Sequence, residues 1–444
     1  MATPMLEALR QDPILQKARH FIVGYSGGID STVLLHLCRA VLPRRRGATL
    51  VAFHVNHQLH RDASQWQMHC ASMAGELGVR FESVVVDASP QTGASPEAAA
   101  RQARYAALAS YIDAGDVILT AHNEDDQAET LLLQMLRGGG VAGQAGMPEL
   151  HRFNAGWQWR PLLHWSRQAI HDYAVMHDLQ WFDDPSNSDT RIDRNYLRKE
   201  ILPLLRRRWP ATSRVLARAA RHAATAQRLQ DQLAAIDLQQ IADSSGQPSR
   251  SRLLALDDER QANVLRHWLV AAGLPVPSTV QMKTLLSTLA SARGDSETCF
   301  DWPGGQLRLF RDRLYAMSPL PVAPGSDWSA HWHGETLPLP AACGQLEIQA
   351  CAQGGFRRAL LDAGLTVQFR RGGEGLRPAA GATRKLRNLY QEAGIVPWMR
   401  QRIPLLFVED RLAAVADLWI DSAFVAPTGE TGVQIRWYDH PPLY

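Results

Sequence analysis

The first half of the chain alternates between two hydrophobic periods. Short apolar runs at His20–Tyr25 (HFIVGY), Thr49–Asn56 (TLVAFHVN), Phe81–Asp87 (FESVVVD) and Val117–Ala121 (VILTA) read as buried strands. Between them, Ser31–Leu42, Gln65–Leu77 and Asp125–Arg137 carry helical spacing, the last stopped by Gly138, Gly139 and Gly140. Another helix is predicted to open at Ser95-Pro96-Glu97, where a hydroxyl cap, a first-turn proline and a carboxylate at the positive dipole end coincide. This alternation predicts a doubly wound parallel sheet covered by helices on both faces, an α/β fold that takes its ligand at the carboxyl ends of the strands.

From about Pro203 the pattern changes. Ala211–Gln240 is one long helical stretch, Asp257–Ala271 and Pro277–Ala290 are helical, and CFDWPG and QLRLFRDRLYAM read as short strands. Further on, QLEIQA, LTVQFRR and RLAAVADLW, with a helical Arg384–Ala393, predict a C-terminal α+β domain. The expected organisation is a nucleotide domain over 1–205, a small helical domain over 206–317, a linker rich in proline and small residues over 318–335, and the C-terminal domain over 336–444. A length of 444 residues suits about three domains at roughly 150 each.

Composition narrows the class. Apolar residues make up 45% and charged residues 20%, as in a globular protein. No apolar run approaches the roughly 18 residues of a membrane span. The opening MATPMLEALRQDP lacks the basic-then-apolar order of a secretory signal, so membrane and export readings are set aside. Cys38, Cys70, Cys299, Cys343 and Cys351 are scattered, odd in number and without CxxC spacing, which argues against disulfide, zinc and iron–sulfur frameworks and for a reducing cytoplasm. The net charge of +3 conceals two basic blocks. Arg191–Arg228 holds eleven basic residues against Asp193 and Glu200, and Arg370–Arg387 holds six against Glu374. Such blocks suit a phosphate-rich partner, and a solvated helix face is the plainer account of them.

The chemistry begins at Tyr25-Ser26-Gly27-Gly28-Ile29-Asp30-Ser31, between the first strand and its helix. Glycines let backbone N–H groups converge on an anion, and the helix dipole points the same way. Ser26 and Ser31 add hydroxyls. A carboxylate beside phosphates is repelled unless Asp30 holds a bridging Mg²⁺. No GKS or GKT follows, so this is not a Walker loop.

The SGGxDS loop resembles that of the ATP pyrophosphatase superfamily, which splits ATP between its α and β phosphates and adenylates a carbonyl oxygen. Further segments narrow the resemblance: His54-Val55-Asn56-His57, then Glu97 to Tyr105 (EAAARQARY), then Ala121 to Thr130 (AHNEDDQAET), then Arg137 to Gly140, then Asp183 to Asn187 (DDPSN) leading to Arg194-Asn195-Tyr196-Leu197-Arg198. Together they look like the tRNA(Ile)-lysidine synthetase family, densely over about residues 20–205. Arg370 to Glu374, Val396-Pro397-Trp398 and Arg402 to Leu406 resemble that family's C-terminal domain. One departure stands out: the family commonly has two consecutive histidines where this chain has His122-Asn123.

The resemblance implies an ATP- and Mg²⁺-dependent cytoplasmic ligase. It would adenylate C2 of the wobble cytidine of a CAU-anticodon tRNA(Ile) and let L-lysine displace AMP. Lysidine formation would shift codon reading from AUG to AUA and charging from methionine to isoleucine. Ser26, Gly27, Gly28, Ile29, Asp30 and Ser31 would hold ATP, with Asp30 on the metal. Asp126 and Glu129, at i,i+3 on one helical face, would cradle the lysine ammonium, although first-turn carboxylates also suit the dipole alone. Arg104, Arg194 and Arg198 would clamp developing negative charge, or the last two would be solvated surface. His122 would either assist amine deprotonation or contact the nucleotide. Arg198, Arg206, Arg207, Arg208, Arg370, Arg371, Lys385 and Arg387 would meet tRNA. Trp398 would stack on a base or sit in a core. A tRNA 2-thiolation enzyme shares the ATP chemistry but needs cysteine patterns that are absent here. No membrane partner is expected, and a homodimer is among the oligomeric states the sequence allows.

Overall fold

The structure, a computed structural model, describes residues 4–42, 47–58, 63–87, 96–182, 189–244, 246–292, 298–351, 354–378 and 381–444, without the side chains of 16, 17 and 96–98. They form two compact units, Met1–Leu229 and Gln230–Tyr444.

The first unit is built on a six-stranded sheet of order β3-β2-β1-β4-β6-β5. Its strands are β1 (His20–Gly24), β2 (Thr49–Asn56), β3 (Arg80–Val85), β4 (Val117–Leu119), β5 (Leu150–Phe153) and β6 (Gly156–Trp159). All pairings are parallel except the β5–β6 edge hairpin, which the hydrophobic pattern did not announce. Alternation along the strands assigns residues to two cores, as a pleat of period two demands. Phe21, Val23, Ala52, Val117 and Leu119 face one core; Ile22, Phe53 and Ile118 face the other.

Helices α1 (Pro4–Gln11), α2 (Pro13–Lys17), α3 (Ile29–Val41) and α4 (Ala63–Glu76) precede α5 (Pro96–Tyr111), whose Leu108, with Ile112 just past the helix end, closes the second face. The expected Ser95 cap lies outside the described residues. Next come α6 (Glu124–Leu136), α7 (Val141–Gln144) and α8 (Arg167–Met176), then α9 (Asp193–Tyr196), a π-helical turn (Leu197–Ile201), α10 (Leu202–Arg208) and α11 (Thr212–Ile241). The chain switches direction across the sheet between β1 and β4, so the loops after these strands, which carry SGGIDS and HNEDD, open into one crevice.

In the second unit, helices at Arg250–Leu254, Asp258–Ala271 and Thr279–Ser291 share a core with the three-stranded sheet Thr298–Trp302, Gly305–Phe310 and Arg313–Met317. A separate core lies between antiparallel sheets formed within Ser329–Tyr438. Trp398 is partly buried and packs against that core, its ring meeting Tyr315 edge-on at 5.2 Å, as the core reading of this tryptophan expects. Among the described residues no helix is long and apolar enough to cross a membrane.

Candidate active site

The phosphate loop owes its shape to Gly27 and to a pair of serines. Gly27 has φ +80°, and a Cβ there would lie 2.7 Å from Cys70 Sγ, so both conformation and space demand glycine. Ser31 Oγ donates to the Gly28 carbonyl at 2.9 Å and lies 3.1 Å from Ser26 Oγ. Gly28 caps α3 without a side-chain bond, which leaves the helix's first N–H groups directed at the loop.

This loop lines a cleft of about 460 Å³ together with the end of β2, one face of α5 and the end of β4. Ser26, Asp30, Ser31, His57, Arg104, Tyr105 and His122 all border it. His54 donates from Nδ1 to the Tyr25 carbonyl at 2.9 Å and so ties β2 to the strand feeding the loop. His57 Nδ1 is buried and finds no partner among the described residues. Burial, helped by Arg104 and His54, pushes the His57 imidazole down to about 4.

Asn123 explains the departure from a double histidine. Its side-chain oxygen accepts from the N–H groups of Asp125 and Asp126 at 3.0 and 3.1 Å, and Asp126 Oδ2 accepts the Asn123 N–H at 3.0 Å, a capping box on α6. The remaining amide group donates from Nδ2 to Asp30 Oδ1 at 3.1 Å. Arg167 lies 3.6 Å from the other Asp30 oxygen. Burial holds the Asp30 carboxyl above its ordinary value, against the pull of Arg167.

His122 Nδ1 is engaged by Thr120 Oγ1 at 3.0 Å and by Arg160 Nε–H at 3.3 Å. Burial pushes this imidazole down to about 3, with Arg160, Arg194 and Arg104 assisting against Asp126. Sequence reasoning missed Gln158 and Arg160, because they stand on and just after β6, a short internal strand that carries no recognisable motif.

The acidic pair corrects an expectation. Asp126 and Glu129 do not form an open cradle. Arg198 donates to Glu129 Oε1 at 2.6 Å and Oε2 at 2.9 Å, and Arg194 Nε to Oε2 at 2.7 Å. Both guanidinium groups reach Asp126 Oδ1, at 3.1 and 2.9 Å. Arg194 and Arg198 are therefore neither free phosphate clamps nor solvated surface: their side chains are 22% and 21% exposed and lie on carboxylates. The i,i+4 spacing of Arg194 and Arg198 across the α9–π-helix junction delivers both to one site.

The basic block divides in the same way. Arg206 pairs with Asp125, which also accepts from Ser213 Oγ at 2.6 Å and from the Arg167 N–H at 2.9 Å, so Arg206 joins α10 to α6 rather than standing free for a partner. Arg207 and Arg208 are exposed, beside a Trp209 that is 61% exposed. In the second unit Arg370 is half-buried, 3.6 Å from Glu374, and Arg371 donates to the Ser326 carbonyl at 2.8 Å. Lys385 and Arg387 are exposed. Asp183–Asn187 lies outside the described residues.

Comparison with known proteins bears on this arrangement. Residues 2–205 match the PP-loop domain, 249–315 the TilS substrate binding domain and 365–437 the TilS substrate C-terminal domain. The tRNA(Ile)-lysidine synthases of Methylococcus capsulatus and Coxiella burnetii are each 39% identical, over 94% of this chain and 95% and 93% of theirs. That of Xanthomonas axonopodis pv. citri is 38% identical over 98% of this chain and 96% of its own. Among solved structures, the U34-tRNA thiolase NcsA from Methanococcus maripaludis aligns with a TM-score of 0.42 at 17% identity, covering 50% of this chain and 78% of that one. With a PP-loop cleft intact in its first unit and near-full-length identity to these synthases, the chain belongs to the tRNA(Ile)-lysidine synthase family.

Proposed function

We propose that this ATP-dependent ligase adenylates the C2 carbonyl oxygen of the wobble cytidine in a CAU-anticodon tRNA(Ile) and exchanges the AMP for L-lysine. The observation that carries the reading is the meeting of Ser26, Asp30, Ser31, Arg104 and His122 on one cleft at the switch point of the sheet. In the first half, the cytosine oxygen forms a bond to the α-phosphorus and pyrophosphate leaves. In the second, the lysine amine bonds to C2, the C2–O bond breaks, AMP departs and the amine loses a proton.

The loop N–H groups and the Ser26 and Ser31 hydroxyls hold phosphate oxygens, and Arg104 stabilises charge that grows on them. Mg²⁺ fits the donor set: Asp30 is a hard oxygen donor at the head of the phosphate loop, and this ion commonly takes one or two carboxylates with the rest from phosphate and water. When bound, it would neutralise phosphate charge. Asn123 and Arg167 orient the carboxylate that would hold it. His122, neutral across the physiological range, serves as a hydrogen-bond donor to the nucleotide rather than as a base for the amine. The lysine ammonium joins Asp126 and Glu129 by sharing or taking the place of an arginine N–H, because three oxygens of the pair already accept arginine N–H groups and the fourth, Asp126 Oδ2, accepts the Asn123 N–H.

Exposed Arg207, Arg208, Lys385 and Arg387 supply phosphate contacts for the RNA. The experiment offers the purified chain ATP, Mg²⁺, labelled lysine and unmodified tRNA(Ile). Label in the RNA with matching AMP and pyrophosphate supports the reading, and AMP without label, or no AMP at all, overturns it.

A further inference from the structure

We infer that Arg160 is the positioning residue that locks His122 in its Nε2–H tautomer, so that the ring offers the cleft a donor and never a lone pair. The inference rests on the cleft being the site proposed above, but its geometry is independent of the substrates.

The argument follows donor and acceptor polarity. A guanidinium has only N–H donors. Arg160 Nε–H donates to His122 Nδ1 at 3.3 Å, so Nδ1 must present its lone pair and the proton of a neutral ring must sit on Nε2. A second route leads to the same nitrogen. Arg160 NH2 donates to Gln158 Oε1 at 3.1 Å, which fixes which end of that amide is oxygen. The other end, Gln158 Nε2, therefore donates to Thr120 Oγ1 at 2.9 Å. Because Arg160 already makes Nδ1 an acceptor, the Thr120 hydroxyl, 3.0 Å away, meets that nitrogen as a second donor. Both routes start at Arg160 and end on the same nitrogen.

Arg160 is itself held firmly. It is 4% exposed, and its NH1 donates to the Pro148 carbonyl at 2.6 Å. Gln158 is 1% exposed. Within this buried network Arg160, which can only donate, sets the direction of its partners' bonds. The charged groups facing His122 are Arg160 beyond β6, Arg104 on α5, Arg194 on α9 and Asp126 on α6. With Nδ1 engaged, Nε2–H is the polar group the ring has left for the cleft that it borders. A donor there suits a phosphate oxygen or the oxygen of an adenylated cytosine, and does not suit removal of a proton from an amine.

The test is the nitrogen NMR spectrum of the full chain labelled with ¹⁵N-histidine, with His122 assigned by its disappearance in H122Q. The wild type is expected to show an unprotonated Nδ1 and a protonated Nε2, unchanged from pH 8 to pH 5. In R160M the two tautomers should both be populated, the kcat for pyrophosphate release should fall at least tenfold, and the KM for ATP should move less than threefold. Q158L, which cuts the second route and keeps the first, should retain the wild-type tautomer.

A wild-type Nδ1–H signal, an R160M spectrum identical to wild type, or loss of the tautomer in Q158L would each overturn the inference. Should R160M fail to fold, the wild-type and Q158L spectra still decide it. A wild type that shows the expected tautomer but releases no pyrophosphate with tRNA would instead sink the proposed reaction and leave the lock standing.

Discussion

Arg198 holds Glu129 in a two-pronged ion pair, its Nε 2.6 Å from Oε1 and its NH2 2.9 Å from Oε2, and the Glu129 carboxylate is fully buried. Sixty-nine residues separate the partners. Removing one member of a buried pair strands the other charge, which typically costs about 3–5 kcal/mol. E129A should therefore lower the urea midpoint steeply, and E129Q should do so less while raising the KM for lysine more than that for ATP. An E129Q enzyme with an unchanged lysine requirement would remove Glu129 from the amino-acid site.

Asn123 serves α6 and Asp30 at once. N123A should lose about 1–2 kcal/mol of stability through its cap, and its pyrophosphate release should fall together with Mg²⁺ affinity. N123D retains the cap but places a carboxylate where an N–H faced Asp30, so its melting temperature should stay near wild type while ATP turnover drops. Equal turnover in N123D and wild type would deny the amide any part in orienting Asp30.

Gly27 is under two constraints that different substitutions separate. G27A should weaken ATP binding and cost about 1 kcal/mol or more, because φ is +80° and the new Cβ meets Cys70 Sγ. Adding C70A relieves the clash but not the dihedral, so the double variant should recover only part of the affinity. Full recovery in a nucleotide-binding titration would show that packing alone excludes a side chain there.

The three neighbouring arginines of α10 should behave differently. R206A leaves buried Asp125 without its cation and should destabilise the fold. R207A/R208A should leave the melting temperature unchanged, weaken tRNA binding and reduce the slope of log K against log salt by up to about two. An unaltered slope would take both residues off the RNA.

Acid should expose His122. Its folded value, about 3, lies below the ordinary 6.5, so between these values the unfolded chain binds a proton that the folded chain refuses. Stability is then complete above about pH 6.5 and falls on acidification, by at most about 1.4 kcal/mol per pH unit from this one group. Asp126, which its arginine partners hold below the usual carboxylate range despite burial, adds a further loss only below about pH 4. Urea midpoints measured from pH 7 to pH 4 should show a shallower decline in H122Q than in wild type.

Much of this was legible in the chain. The strand–helix alternation, the SGGIDS turn and the family motifs follow from local rules: period, caps, glycines and residue identity at fixed spacing. The β5–β6 hairpin escaped because its two four-residue strands are too short for a period to register. Arg194, Arg198 and Arg206 were read as cations awaiting phosphate because a sequence counts charges without showing which are already paired.

Sequence alone determined the SGGIDS loop after β1, the acidic helix that follows β4 and the family to which the chain belongs. Only the tertiary structure decided which charges remain available, which nitrogen of His122 carries its proton, and why asparagine serves where a second histidine is usual. Those outcomes depend on groups brought together across 38 to 93 positions of chain, as with Arg160 and His122 or Asn123 and Asp30. Hydrogen-bond polarity and charge pairing act over a few ångströms of space, and no local pattern of residues encodes that distance.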